Sequence, residues 1–224
     1  MSNHVSWPLL RAKIREHKLY IVNIGRKIFL LALAIIVSTQ ISVAQTELEI
    51  GASAPKMDQK IEDYTGRTVT LSEAAQRNGL IVVFSCNTCP RVAQMESRYL
   101  DLSNFAKSNQ IGMIALNPNE RTRDRGESMD EMKKRANKMS YNFSYALDKD
   151  HIIADAFGAT ITPQVFLFNS EMKLVYKGAI DDNPKSATGV KQNYLVTAIE
   201  ELISGRQVAK SSTKAVGCLI KRKE

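Results

Sequence analysis

Leu80 to Phe84 form an unbroken apolar run, and a Cys-x-x-Cys sequence follows at once: Ser85-Cys86-Asn87-Thr88-Cys89-Pro90. A short apolar run closed by turn-forming residues reads as a strand buried on both faces. From Arg91 to about Ser108, Val92, Met95, Tyr99 and Leu102 recur at helical spacing. The chain therefore passes from a buried strand, through two cysteines, into an amphipathic helix. This handover constrains the fold more than any other stretch, because such a strand needs elements packed on both of its faces.

Two cysteines separated by two residues can close a small disulfide only where the backbone turns tightly, as at a strand end feeding a helix. A helix N-terminus also offers unpaired N–H groups and about half a positive charge. A thiolate placed there is stabilised, so its pKa is expected to fall, and the thiolate is the nucleophile in disulfide exchange. Cys86 is expected at the helix start as the more exposed sulfur, and is assigned as nucleophile. Cys89, one turn deeper, is assigned as the resolving thiol. A static disulfide or two packed thiols would be the inert alternative. A zinc site fits poorly, since structural zinc takes four ligands and no second Cys or His pair stands in the sequence.

Strands and helices alternate along the rest of the chain. Lys60 to Asp63 and Thr68 to Leu71 flank the turn signal Thr65-Gly66, which predicts a hairpin. Ser72 is positioned to cap a short helix through Gln76. Ile111 to Leu116 predicts a second buried strand, and Asn117 to Glu127 a polar loop. Ser128 predicts the cap of a helix from Met129 to about Met139, with Glu131 three residues on. Tyr145 to Leu147 predicts a short strand, Asp148 the cap of a helix through Phe157, and Gly158 its stop. Gln164 to Phe168 and Leu174 to Ile180 predict two more strands, and Gln192 to Ser204 a last helix. The tail from about Arg206 is polar except for Ala215 to Ile220. This alternation predicts an α/β fold with a central sheet and helices on both faces.

The N-terminus has a separate character. Residues 28–37, IFLLALAIIV, follow Arg26 and Lys27 directly, and Ser42-Val43-Ala44 precedes Gln45 as a small-residue cleavage site. A basic flank, a short apolar run and a small-residue exit describe a secretory signal peptide over residues 1–44. The run is too short for a comfortable span of about 20 residues, although an uncleaved anchor is the alternative. An exported, periplasmic or secreted domain over residues 45–224 is expected, touching a membrane only through that leader. Residues 1–44 hold six of the 31 Lys and Arg and one of the 23 Asp and Glu, leaving 25 bases against 22 acids, a balance of +3. So small a balance gives no argument for nucleic acid.

Particular words of the sequence go further. Gly51-x-x-Ala54-Pro55, the Asp63 to Leu71 hairpin, Phe84-Ser85-Cys86-Asn87-Thr88-Cys89-Pro90, Gly158-Ala159-x-x-Thr162-Pro163, Tyr176-x-Gly178 and Gly217-Cys218-x-Ile220-Lys221 together resemble the thioredoxin superfamily. Within it the likeness is to the redoxin group near the peroxiredoxins, AhpC/TSA-like, and it covers nearly all of the chain after the leader. The resemblance implies a thioredoxin-like fold, a central mixed sheet flanked by helices with an N-terminal hairpin extension. It also implies that Pro163 is cis and lies against the active sulfurs, so that Thr162 and Pro163 present backbone to a bound substrate chain.

The sequence departs from the resembled families in two ways. With Cys89 in the peroxidatic role, Cys86 takes the position of the peroxiredoxin Thr or Ser, and the Pro expected upstream is absent at Val82. Many thioredoxins bury a carboxylate on the strand before the motif, and Leu80 to Phe84 contains none.

The reading that results is a thiol–disulfide oxidoreductase without cofactor or metal, acting on disulfides of protein substrates or of a redox partner. A thiol peroxidase and a copper- or partner-binding module are the alternatives. Cys218 is a candidate third redox thiol or a buried small apolar residue. His151 is expected as a solvated residue of its short helix, and Arg121, Arg123 and Arg125 as members of a solvated loop of mixed charge.

Overall fold

The computed structural model describes residues 46–223, so the expected leader lies outside the described residues. The hairpin forms as expected: β1 (Ile61–Asp63) pairs antiparallel with β2 (Thr68–Val69). Asp63 is buried behind the turn and accepts from the backbone N–H and hydroxyl of Thr65 and from the Arg67 N–H. Helix α1 (Leu71–Ala74) is capped by Thr70, not by Ser72. The Thr70 hydroxyl accepts from the Glu73 N–H while the Glu73 carboxylate accepts from the Thr70 N–H, so both exposed donors are met at once.

β3 (Gly79–Phe84) and β4 (Ile111–Asn117) are buried at every residue, as their apolar runs require. They pair in parallel, and β4 pairs in parallel with β5 (Ser144–Leu147), which is closed on its far side by β1. On the other side β3 pairs antiparallel with β7 (Gln164–Phe168), and β7 with β8 (Leu174–Gly178). The sheet order is β2-β1-β5-β4-β3-β7-β8. β8 stops at Gly178, two residues short of the expected Ile180.

The single expected helix after the cysteines is two. α2 (Pro90–Met95) and α3 (Ser97–Ser108) meet at Glu96, whose carboxylate is buried and clamped by Arg135 and the Tyr141 hydroxyl. α4 (Met129–Lys138) is capped by Ser128, which accepts from the Glu131 N–H as expected. α5 (Ile152–Phe157) follows a single 3-10 turn; Asp148 accepts from the Ile153 and Ala154 N–H groups, and Gly158 ends the helix at φ 63°. α6 (Tyr194–Ile203) closes the regular part.

Strand alternation divides the core in two. Ile81 and Val83 face Tyr99, Leu102, Met132 and Ile199 of α3, α4 and α6. Leu80, Val82 and Phe84 face Leu71 of α1 and Ile153 and Phe157 of α5. On that second face Phe84, Phe157, Phe166 and Phe168 meet edge to face, with centroids 5.2–5.7 Å apart. β3 is thus held rigidly from both sides, and the cysteine motif leaves from its end.

Candidate active site

β3 ends at Phe84, Ser85 bonds back to β4 through its N–H to the Leu116 carbonyl at 2.8 Å, and Cys86 follows. Cys89 occupies the cap position of α2, with Pro90 as its first helical residue. Pro is suited there, since it lacks the N–H that a first-turn residue leaves unpaired. Cys86 is therefore in the loop ahead of the helix and not at its start.

The Thr162–Pro163 bond is cis, as the resemblance implied, and Thr162 is the meeting point of the site. The Cys86 sulfur lies 3.1 Å from the Thr162 hydroxyl, and the Cys89 sulfur 3.3 Å from the Thr162 carbonyl oxygen. All four residues assigned from the sequence, Cys86, Cys89, Thr162 and Pro163, are thus brought together.

The covalent partner of Cys89 is Cys218, with Cα atoms 6.0 Å apart, and Cys86 is a free thiol. Cys218 arrives on a strand that the sequence did not reveal: β9 (Cys218–Leu219) pairs antiparallel with β6 (Ile161–Thr162), setting Cys218 opposite Thr162. The Ile220 N–H extends the pairing to the Thr160 carbonyl at 2.9 Å. A Cβ at Gly217 would fall inside the contact radius of the Thr162 carbonyl oxygen, so only glycine lets the tail approach this closely.

Further bonds fasten the tail. Lys221 donates its N–H to the Asn119 side chain and accepts from the Arg121 N–H, both at 2.9 Å. Arg222 donates to Asp155 at 2.8 Å and to the Ala159 carbonyl at 2.6 Å. His151 is therefore not a solvated residue: it is half-buried, its Nδ1 is 2.6 Å from Asp155, and the pair stands against the tail. Arg123 likewise departs from the solvated loop expected of it. It donates to the Glu127 and Asn117 carbonyls and pins the loop on the site, whereas Arg121 and Arg125 are exposed.

The expectation of an exposed, acidified Cys86 is overturned. Cys86 is 1 % exposed. Burial pushes its thiol up to about 11, and the Glu127 carboxylate adds to the rise; the Thr162 hydroxyl and the Cys89 and Thr88 N–H groups only partly oppose it. The reason is visible in the loop. Glu127, itself 0 % exposed, accepts from the Asn87 and Thr88 N–H groups, the Thr88 hydroxyl and the side-chain amides of Asn117 and Asn119, at 2.6–3.3 Å. The Asn87 N–H thus serves a carboxylate, and the Thr88 N–H is shared between that carboxylate and Cys86. Glu127 is a buried acid that comes from the loop after β4, not from β3. Its only trace in the sequence is an acid placed directly before the Ser128 cap.

Among the described residues, no group of three or more His, Cys, Asp or Glu could hold a metal ion, and no helix is long and apolar enough to cross a membrane.

The AhpC/TSA family model matches residues 50–177. No curated protein matches the chain. Among solved structures, an uncharacterized conserved protein from Geobacillus kaustophilus is 28 % identical with TM-score 0.73, the alignment covering 78 % of this chain and 93 % of that one. Peroxidoxin BcpB from Mycobacterium tuberculosis is 13 % identical with TM-score 0.54, covering 71 % and 99 %. The C-terminal domain of a candidate thiol-disulfide oxidoreductase from Bacteroides thetaiotaomicron is 18 % identical with TM-score 0.53, covering 70 % and 97 %. These likenesses place the fold among thioredoxin-like redoxins.

Proposed function

Because the chain belongs to the AhpC/TSA family, we propose that it is an exported thiol–disulfide oxidoreductase whose exchanging pair is Cys86 and Cys89. One observation carries the reading: both sulfurs of the motif rest on Thr162, one on its hydroxyl and one on its carbonyl, beside the edge of β6. That edge hydrogen-bonds an extended chain, here the protein's own β9, and a substrate strand would be read in the same way.

In the reduced protein, Cys86 as thiolate attacks one sulfur of a partner's disulfide, and the other partner sulfur leaves as a thiolate. Cys89 then attacks Cys86 in the mixed disulfide. The partner leaves with two thiols, and the pair is oxidised to a Cys86–Cys89 disulfide. Thr162 serves both steps, its hydroxyl toward Cys86 and its backbone toward the guest chain. Export rests on the leader motif of residues 28–44, and a protein substrate on the strand-shaped edge.

The test is insulin reduction with dithiothreitol as electron source, comparing wild type with Cys86→Ser and Cys89→Ser. Both variants are expected to lose at least tenfold in rate, and equal rates in all three would overturn the reading. Stopped-flow consumption of hydrogen peroxide tests the peroxidase alternative. A rate no better than that of a free thiol excludes it.

A further inference from the structure

A disulfide and a thiol lie side by side here, and each holds one cysteine of the motif. Cys86, Cys89 and Val92 form one small buried cluster with Cys218 packed against it. Cys218 is brought to this place by backbone: the two-residue pairing with β6, the Ile220 bond to Thr160, the Lys221 bonds to Asn119 and Arg121, and a glycine that alone fits against Thr162. The tail thus lies on the β6 edge as an extended strand with its cysteine bonded to the motif. That is the form a captured substrate strand would take. Its outward side chains gain little from the contact, since Leu219 is 67 % and Val216 48 % exposed. Ile220, directly after the strand, is buried.

We propose that Cys218 is a third redox thiol, which exchanges with Cys86 across Cys89. In this step the Cys86 sulfur, having given up its proton, attacks the Cys89 sulfur. The Cys89–Cys218 bond breaks as the Cys86–Cys89 bond forms, and Cys218 leaves as a thiolate that takes up a proton. One disulfide and one thiol stand on each side, so no outside oxidant or reductant enters. The product frees β9 from its covalent tether, and the β6 edge opens to a partner strand. In the form seen here burial holds the Cys86 thiol mostly protonated, so the exchange starts from its small thiolate fraction. The inference rests on the thiol–disulfide reading for its role in turnover, whereas the exchange itself needs no external substrate.

The experiment uses the oxidised wild-type protein held at pH 8, quenched in acid, denatured, alkylated with N-ethylmaleimide and mapped by peptide mass spectrometry. Label on both Cys86 and Cys218 is expected, since each arrangement leaves one of them free. Label confined to either cysteine alone overturns the proposal. In the insulin assay Cys218→Ser is expected to run at least fivefold slower than wild type with its circular dichroism unchanged, and an unchanged rate also overturns it. An inactive wild type with both cysteines labelled would refute the proposed function and leave the exchange standing.

Discussion

Replacing Glu127 is the perturbation that most directly tests how the loop is held. Its carboxylate accepts five hydrogen bonds, and the two amide donors from Asn117 and Asn119 are themselves buried, where water cannot replace it. Hydrogen bonds to a charged group contribute about 1.5–3 kcal/mol each, and an abandoned buried donor costs about 1–3 kcal/mol. Thr88 is exposed and can turn to solvent, so its two bonds count for little. Two buried amides and the half-buried Asn87 N–H then set the loss for Glu127→Ala at roughly 3–5 kcal/mol, less some relief from no longer burying a charge. Such a loss is a large share of a stability of about 5–15 kcal/mol. Urea unfolding at pH 7 measures it, with the m-value confirming that the comparison is like for like.

The same substitution removes a negative charge that raises Cys86. The pH midpoint of Cys86 alkylation should therefore move down in Glu127→Ala, and also in Glu127→Gln, which keeps the shape. Two results would refute the reasoning. One is a stability loss below about 1 kcal/mol, which would mean the carboxylate does not organise the loop. The other is a Cys86 midpoint that stays or rises when the charge is gone.

Further expectations follow from the same geometry. Cys86 sits at about 11 in the fold against an ordinary 9.0, so its contribution to stability is intact below pH 9 and is lost as pH rises through 11. At about 1.4 kcal/mol per pH unit the loss approaches 3 kcal/mol, and Cys86→Ala should flatten urea unfolding curves between pH 9 and 11. Asp148 is raised to about 6 by burial, so the fold gains stability as pH falls from 6 toward 3.8. Asp148→Asn should remove up to about 1.4 kcal/mol per pH unit of that slope, and identical slopes would count against the assignment. Phe157→Ala empties the centre of the four-ring cluster and should cost about 3–5 kcal/mol by denaturant midpoint. Gly217→Ala sets a Cβ against the Thr162 carbonyl and should leave β6 and β9 apart, read as faster amide exchange at Ile220.

How far the sequence reached depended on whether a signal was local. The buried strands β3 and β4 were legible because uninterrupted apolar runs have few other uses, and β1 and β2 because Thr65-Gly66 turns the chain between them. The Ser128 cap was legible for the same reason: donor and acceptor lie three residues apart. Glu127 was not, because its partners come from residues 87–88 and 117–119, and nothing in its neighbourhood distinguishes a buried acid from a solvated one. β9 was missed since two residues carry no periodicity, and its pairing with β6 is fixed by a disulfide across the fold. Cys86 departs from the expected environment because Cys89 and not Cys86 caps the helix, and because Glu127 and β9 enclose the site. A helix terminus acidifies a thiol at an open site, whereas here a distant carboxylate and a distant strand fill the place.

The 129-residue separation between Cys89 and Cys218 also orders events in time. Synthesis at about 5–20 residues per second delivers Cys86 and Cys89 several seconds to half a minute before Cys218 exists. The first disulfide open to the growing chain is the short one inside the motif, and the bond to the tail can form only afterwards. A protein that ends with Cys89 tied to Cys218 has therefore either waited with its motif reduced or reshuffled its sulfurs during maturation.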